Sequence, residues 1–261
     1  MNPRLARISV FPIKSLDAYE PKRTTITSAG PIDGDRRYAI LDEEGEYVNG
    51  KRTPEVHRLR ATYDDPDRLV LSAYGHDETR EFALEGDRKD LESRLTEHFG
   101  YPVEMIRDEV GMPDDSTNPG PTVISTATIE EVASWFDLSS ESVRRRFRAS
   151  LEVEGVPAFW EDHLFADHGR VIDFSIGDVH LVGVNPCQRC IVPARDPDTG
   201  EELESFRTRF ITKREETLPE WTDSDRFDHP FRLMVNTRVP EGGEIKVGNS
   251  VEIRGEREEA R

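Results

Sequence analysis

The sequence contains only two cysteines in 261 residues and no long hydrophobic run. Two cysteines cannot build the disulfide framework of a small secreted domain. No stretch approaches the roughly 20 apolar residues that span a bilayer, and no signal-peptide pattern opens the chain. We therefore expect a cytoplasmic protein, mature as written, that does not associate with a membrane.

Apolar and basic residues are both scarce. Hydrophobic residues make up 35% of the chain, and 53 acidic residues face 35 basic ones, giving a net charge of −18. Such a chain repels nucleic-acid phosphates and anionic membrane surfaces, so neither is expected as a partner. The acid is spread in short runs, which is typical of a halophile-like solvated surface; an ordinary acidic cytosolic protein is the alternative.

Short β-rich segments dominate the predicted elements. Strands are predicted at Ala6–Phe11, Arg23–Thr27, Arg37–Leu41, Glu46–Val48, Arg58–Tyr63, Arg68–Ala73, Thr122–Ser125, Val171–Ile176, Val179–Val184, Phe231–Val235, Glu244–Val247 and Ser250–Ile253. Helices are predicted at Asp87–Phe99, Thr128–Phe136 and Glu141–Phe147. Gly45, Gly177-Asp178 and Gly248-Asn249 predict hairpin turns, since glycine readily adopts positive φ.

A stretch rich in Pro, Gly, Asp, Ser and Asn at residues 108–121 predicts a linker or a long loop. It separates two β-rich units. The sequence therefore predicts a mainly β fold with peripheral helices (α+β), in which a β-barrel-like domain at residues 1–110 precedes a second β-barrel domain at residues 111–257.

Cys187 and Cys190 form a C-x-x-C pair directly after a predicted hairpin. A zinc site would need a second pair of Cys or His ligands, and none follows at matching spacing. A thioredoxin-like pair would lie at a strand-to-helix junction. Two interpretations of the pair are left: one cysteine is a thiolate ligand to a soft, high-valent metal, or both are small buried thiols.

The residues around this pair, IGDVHLVGVNPCQRCIVPARDPDTGE at 176–201, resemble the MOSC family, in particular the branch that contains the mitochondrial amidoxime-reducing component. Residues 11–15 (FPIKS) and 34–38 (GDRRY) resemble the β-barrel domain that precedes MOSC in this branch. Residues 243–248 (GEIKVG) are similar to its closing turn, with Asn249 in place of the usual Asp. The motifs together cover the chain from about Ile8 to Ile253.

The resemblance implies a molybdenum-pterin cofactor, the molybdenum cofactor, whose metal is held by one protein cysteine. By motif position that cysteine is Cys190, which would be both metal ligand and catalytic residue. A thiolate is a soft donor suited to molybdenum, and Arg189 beside it is expected to favour the thiolate and help bind the cofactor. Cys187 is expected only to pack. We predict no zinc, haem or iron–sulfur cluster.

The resemblance also implies an anion-binding set for the cofactor's phosphate. Lys14, Ser15, Arg36 and Arg148 stand at family positions that contact the cofactor, offering a point charge, a hydroxyl and two planar forks. The alternative for each cation is an ordinary surface salt bridge. Ser150 stands where the family often has Asn, and its shorter side chain puts the pterin contacts there in doubt.

Two other charged clusters are expected to lie on the surface. Residues 144–146 (three arginines) are interpreted as the solvated face of a helix. Residues 161–163 (Glu-Asp-His) could deliver protons, but the surface interpretation is favoured.

The resemblance implies an oxidoreductase that removes oxygen from N-oxygenated compounds such as hydroxylamines and amidoximes. The sequence has neither a Cys-rich iron–sulfur motif nor a G-x-G-x-x-G after a strand. We therefore expect electrons from a separate protein, a ferredoxin or a cytochrome b5-like carrier. The alternatives are a sulfur carrier and a module that binds, sulfurates or stores the molybdenum cofactor without reductase activity.

The excess of acidic residues yields a testable prediction about salt. Carboxylate repulsion destabilises the compact state, and salt screens it as the Debye length falls from about 10 Å at 0.1 M to about 3 Å at 1 M. We expect the melting temperature to rise along a KCl series from dilute buffer to molar salt. A flat or falling curve would contradict the halophile-like interpretation.

Overall fold

The computed structural model of the chain describes residues 2–114, 116–219 and 229–259. Within these ranges the strands are β1 (Arg4–Ile8), β2 (Arg23–Ile26), β3 (Tyr38–Asp42), β4 (Leu59–Asp65), β5 (Arg68–Ala73), β6 (Thr79–Ala83), β7 (Val103–Arg107), β8 (Val123–Ser125), β9 (Leu151–Glu154), β10 (Arg170–Ile176), β11 (Val179–Gln188), β12 (Arg232–Arg238), β13 (Gly243–Lys246) and β14 (Val251–Glu258). The α-helices are α1 (Arg88–Phe99), α2 (Thr126–Phe136), α3 (Ser140–Phe147) and α4 (Phe206–Thr217).

Seven strands form the main sheet, in the order β1-β9-β8-β12-β11-β10-β14. Every pairing in it is antiparallel except β8 with β9. Apolar side chains on one face of this curled, half-barrel sheet form a core that includes Leu5, Phe174 and Leu181. The predicted mainly β fold with peripheral helices is confirmed.

Three small sheets complete the β structure: β13 with β2, β3 with β7, and β4-β5-β6. The last two pack with α1 around a second core that includes Tyr38, Leu71 and Leu95. β1 and β2 instead pair with β9 and β13, strands from the other half of the chain. The first strands thus tie the two halves together, and the division at residue 110 stays a prediction.

Helices α2, α3 and α4 cover a third, aromatic core. The rings of Phe136 and Phe206 stack with centroids 4.2 Å apart, and Phe210 meets Phe231 edge-on at 5.1 Å. Such pairs contribute beyond the area they bury. None of the helices in the described residues is long and apolar enough to cross a membrane.

Local sequence rules predict some elements well. Helix α1 ends at Gly100 in the left-handed conformation, and the hydroxyl of Ser125 accepts from the N–H of Thr128 to cap α2. The hairpin β10–β11 forms around Gly177 as predicted. The hairpin predicted at Gly248 is wrong: β13 pairs with β2, and β14 pairs with β10.

The surface interpretation of the Glu161 cluster is also wrong for two of its three residues. Glu161 and Asp162 are buried, while His163 is exposed. Asp162 accepts two hydrogen bonds from the buried guanidinium of Arg214, at 2.5 and 2.7 Å. Glu161 accepts from the Thr128 hydroxyl, and burial raises the pKa of its carboxyl to about 7. These carboxyls are structural parts of the interior.

The three arginines of α3 are not a solvated face either. Arg144 makes a bidentate pair with Glu152, with both N–O distances 2.8 Å. Arg146 is buried and donates to the carbonyls of Pro193 and Arg195. Their neighbour Arg145 reaches residues from both halves, so the run holds α3 against the loop that follows the cysteines.

Candidate functional site

A cavity of about 820 Å³ lies where the two halves meet, and we call it the central cavity. It contains every residue that the sequence singles out for cofactor or metal binding. Those lining residues are Lys14, Ser15, Arg36, Arg148, Ser150, Arg189 and Cys190, with Cys187 beside them. Residues as far apart in the sequence as Lys14 and Cys190 therefore line the same cavity. Their roles remain predictions.

Lys14 enters the cavity from the segment that follows β1. The N–H of Lys14 donates to the carbonyl of Tyr38 at 2.7 Å, which fixes the backbone. Its ammonium donates to the carbonyl of Met112 at 3.0 Å and lies 2.7 Å from a carboxylate oxygen of Asp114. Only 14% of the Lys14 side chain is exposed. Lys14 is therefore a fixed cation and not a surface lysine.

Arg36 is held against the same wall by Phe11 and Asp35. The N–H of Arg36 donates to the carbonyl of Phe11 at 2.7 Å, and its guanidinium lies 5.2 Å from the centre of the Phe11 ring. Asp35 pairs with that guanidinium through one oxygen and accepts from the N–H of Phe11 through the other. A second carboxylate, Asp114, lies 3.6 Å from Arg36.

Arg148 stacks on the same Phe11 ring, with its guanidinium 4.1 Å from the ring centre. No carboxylate in the described part of the chain lies within salt-bridge distance of Arg148. Burial, together with the nearby charge of Arg36, lowers the pKa of Arg148 to about 10, and the carboxylates of Asp17 and Asp114 offset part of this effect. At neutral pH this leaves a charged guanidinium whose chemistry calls for an anion.

The backbone around the cavity adopts conformations that side chains ordinarily avoid. Ser15 (φ 79°), Arg36 (φ 49°), Arg148 (φ 57°) and Met234 (φ 63°) all lie in the left-handed region. In the described ranges only three other non-glycine residues have positive φ. Such strain clusters where a structure fixes side chains for a functional purpose. The four left-handed residues therefore indicate that the central cavity is a functional site.

Cys187 and Cys190 are half-buried free thiols at the end of β11. Arg189 donates to the sulfur of Cys187 at 3.1 Å and to the carbonyl of Phe147 at 2.9 Å. The expected support of Cys190 by Arg189 is therefore corrected, because the guanidinium holds the other sulfur. In the residues described, no hydrogen bond reaches the sulfur of Cys190.

Ser150 is buried at the start of β9. Its N–H donates to the hydroxyl of Thr122 at 3.1 Å, and its carbonyl accepts from the N–H of Ser9 at 2.8 Å. These backbone bonds join the N-terminal segment to the cavity wall, and they are available to any residue except proline at this position.

Sequence reasoning missed four residues that line or shape the cavity. Asp114 lies in the segment predicted only as a loop, and Phe11 belongs to the FPIKS motif, in which only Lys14 and Ser15 were predicted to bind the cofactor. Met234 accepts a weak contact from Arg189 at 3.7 Å. His57 lines the wall, and burial lowers the pKa of its imidazole. These residues are far along the chain from the side chains they contact, so only the folded structure shows that they are neighbours.

Two family models match the chain end to end. The one described as the MOSC N-terminal beta barrel domain matches residues 2–110, and the one described as the MOSC domain matches residues 122–252. The chain belongs to the MOSC family. The matched ranges contain all the lining residues that the sequence singled out.

Named relatives of this MOSC chain fall into two groups. It is 25% identical over 222 residues to the molybdenum cofactor sulfurase of Caenorhabditis elegans, an alignment that covers 77% of the chain and 30% of the sulfurase. It is 25% identical to mitochondrial amidoxime reducing component 2 of Bos taurus (78% and 72% covered) and to component 1 of Mus musculus (97% and 82% covered). The MOSC chain thus spans less than a third of the sulfurase's length.

The guanidinium of Arg148, which has no salt bridge among the described residues, yields the second prediction. Arg148→Met keeps a contact with the Phe11 ring and removes the repulsion from Arg36, so we expect the free energy of unfolding of the ligand-free MOSC chain to change by less than about 1 kcal/mol or to rise. The matched control is Arg214→Met, which leaves Asp162 buried and unpaired and should cost about 3–5 kcal/mol. Urea unfolding of both variants is the measurement. Equal losses would mean that Arg148 is a structural arginine.

Proposed function

We propose that this MOSC chain binds the molybdenum cofactor in the central cavity and reduces N-oxygenated compounds. The observation that carries the proposal is the convergence of a free C-x-x-C thiol pair and three cations on one cavity. One of those cations, Arg148, makes no salt bridge to a carboxylate of the described residues, although Asp17 and Asp114 are close enough to act on it. The family and the named relatives supply the cofactor and the reaction class as candidates.

The residues present fit such a cofactor. Its phosphate is an anion, and an anion stabilises the mutually repelling cations Arg36 and Arg148. Ser15 adds a hydroxyl on the same wall. In a chain of net charge −18 this concentration of cations has a specific use, because the rest of the surface repels anions.

Cys190 is the residue proposed to hold the metal. A thiolate is a soft ligand suited to molybdenum, and the sulfur of Cys190 makes no hydrogen bond to the described residues. Cys187 is engaged by Arg189 at 3.1 Å, so the two thiols of the pair have different tasks. Arg189 would act through Cys187 and Phe147 to fix the shape of the loop that presents Cys190.

The bound cofactor would supply two-electron chemistry that removes one oxygen atom from the substrate. For a hydroxylamine the balance is R–NHOH + 2e⁻ + 2H⁺ → R–NH₂ + H₂O. The chain's own residues would bind the cofactor, orient it and exclude bulk water from the cavity. Electrons would come from a separate carrier, a ferredoxin or a cytochrome b5-like protein.

A second candidate is a sulfur carrier or a module that binds and sulfurates the cofactor. The similarity to a molybdenum cofactor sulfurase favours it, and so does the guanidinium on the sulfur of Cys187, which would stabilise a negatively charged sulfur. In that case the measurable function would be sulfur transfer by the thiol pair, and not turnover of an N-oxygenated compound.

Substitution of the two cysteines provides the third prediction. In protein from a cofactor-competent host, Cys190→Ser replaces a soft thiolate with a hard hydroxyl, so reduction of an amidoxime by a reduced viologen should fall by roughly 100-fold or more. Molybdenum per chain, measured by mass spectrometry, should fall with it.

Cys187→Ser is the matched control, three residues away and in the same cavity. It should retain molybdenum and most of the activity, because a serine hydroxyl can still accept from Arg189 in place of the sulfur. A dead Cys187→Ser beside an active Cys190→Ser would reverse the assigned roles. A wild-type protein that holds molybdenum but reduces no N-oxygenated compound would favour the second candidate.

A further inference from the structure

Asp114 lies between two cations of the central cavity, Lys14 and Arg36. One of its carboxylate oxygens lies 2.7 Å from the ammonium of Lys14, and the other lies 3.6 Å from the guanidinium of Arg36. It also lines the central cavity. A carboxylate on a fixed Lys–Arg pair stands where the anionic group of a ligand would bind.

The exposure of the three side chains differs sharply. Lys14 and Arg36 are 14% and 15% exposed, whereas the side chain of Asp114 is 65% exposed. Lys14 is also held by the carbonyl of Met112, and Arg36 by Asp35 and the Phe11 ring. These contacts would hold both cations in place if the exposed carboxylate of Asp114 turned into solvent.

The segment that carries Asp114 is docked onto the backbone of Arg36. The N–H of Met112 donates to the carbonyl of Arg36 at 2.9 Å, and the N–H of Asp108 donates to the carbonyl of Arg37 at the same distance. Gly111 has a φ of 90°, and a Cβ there would lie 2.5 Å from the carbonyl oxygen of Asp35. This close approach requires glycine, so the segment is shaped to deliver Asp114 to the cations.

We propose that Asp114 is an internal competitor that sets the anion selectivity of the Lys14–Arg36 pair. A ligand bearing a phosphate or diphosphate group, with at least two negative charges, displaces the single charge of Asp114, whereas a monoanion such as chloride or acetate does not. Asp114 is thus a specificity-determining residue that keeps the cations satisfied until a multiply charged group arrives. The inference rests on the proposed function for the identity of the natural ligand.

Electrostatics supports this ranking of anions. The charges of Arg36 and Lys14 outweigh burial and lower the pKa of Asp114 to about 2, so its carboxylate is ionised throughout the neutral range. Competition is therefore between two anions for the same cations. A group with two charges gains about twice the attraction of a carboxylate at similar distances.

The test uses the full chain from a host that makes no molybdenum cofactor, with inorganic pyrophosphate as the probe and calorimetry as the readout. Asp114→Asn should bind pyrophosphate roughly three- to tenfold more tightly than the wild type, because the competing charge is gone. Chloride at equal ionic strength should weaken that binding more in Asp114→Asn than in the wild type.

The matched control is Asp77→Asn, which removes one charge from an exposed turn outside the cavity. It should leave pyrophosphate affinity unchanged. Adding Lys14→Ala to Asp114→Asn should abolish the gain, which places the effect at this pair. Equal affinities for wild type and Asp114→Asn, or no binding by either, would overturn the inference.

Failure of the inference and failure of the proposed function are separable. A wild type that takes up molybdenum while Asp114→Asn gains no pyrophosphate affinity overturns the role of Asp114 alone. A gain in pyrophosphate affinity in a chain that never takes up molybdenum supports that role and contradicts the proposed function.

Discussion

Mutual repulsion among the cations of the central cavity is the constraint on which the rest of the structure depends. Arg36 and Arg148 both contact one aromatic ring, that of Phe11. Their guanidinium carbons lie 5.2 and 4.1 Å from the ring centre. Lys14 stands on the same wall, bridged to Arg36 by a carboxylate. Bringing like charges together in a partly buried space destabilises the fold unless something offsets them. Such an arrangement persists where an anion is to be bound.

The fold offsets this repulsion with features drawn from both halves of the chain. Asp35 and Asp114 neutralise part of the charge, and the Phe11 ring accepts the guanidinium faces. Arg145 ties Asp17 of the first half to Asp198 of the second, with N–O distances of 3.3 and 2.8 Å. These charge pairs add to the strand pairings of β1 with β9 and β2 with β13, which also join the two halves.

Residues in short motifs could be predicted from the sequence, whereas contacts that depend on the fold could not. The motifs containing Lys14, Arg36 and Cys190 could be identified from the sequence, because each is a short local pattern. The fold brings these three residues to one cavity. The sequence could not predict which sulfur Arg189 contacts, since Cys187 and Cys190 are both near it along the chain. The conformation of the turn decides that the contact is with Cys187. Hydropathy likewise misplaced Glu161, because its partners lie 33 residues or more away in the chain.

Strand pairing shows the same limit. Gly248 marks a turn correctly, but its flanking strands leave in different directions to β2 and β10. A turn sequence fixes local backbone geometry, whereas the choice of partner depends on which apolar face the core buries. Helix α4 was not predicted, since its polar sequence buries only Phe206, Phe210 and the paired Arg214.

The most direct test of the account is the molybdenum and pterin content of the wild-type chain purified from a host that makes the cofactor. We expect about one molybdenum and about one pterin per chain, bound together and released together on denaturation. A folded chain that carries neither, from a host that loads another molybdenum protein in the same culture, would contradict it.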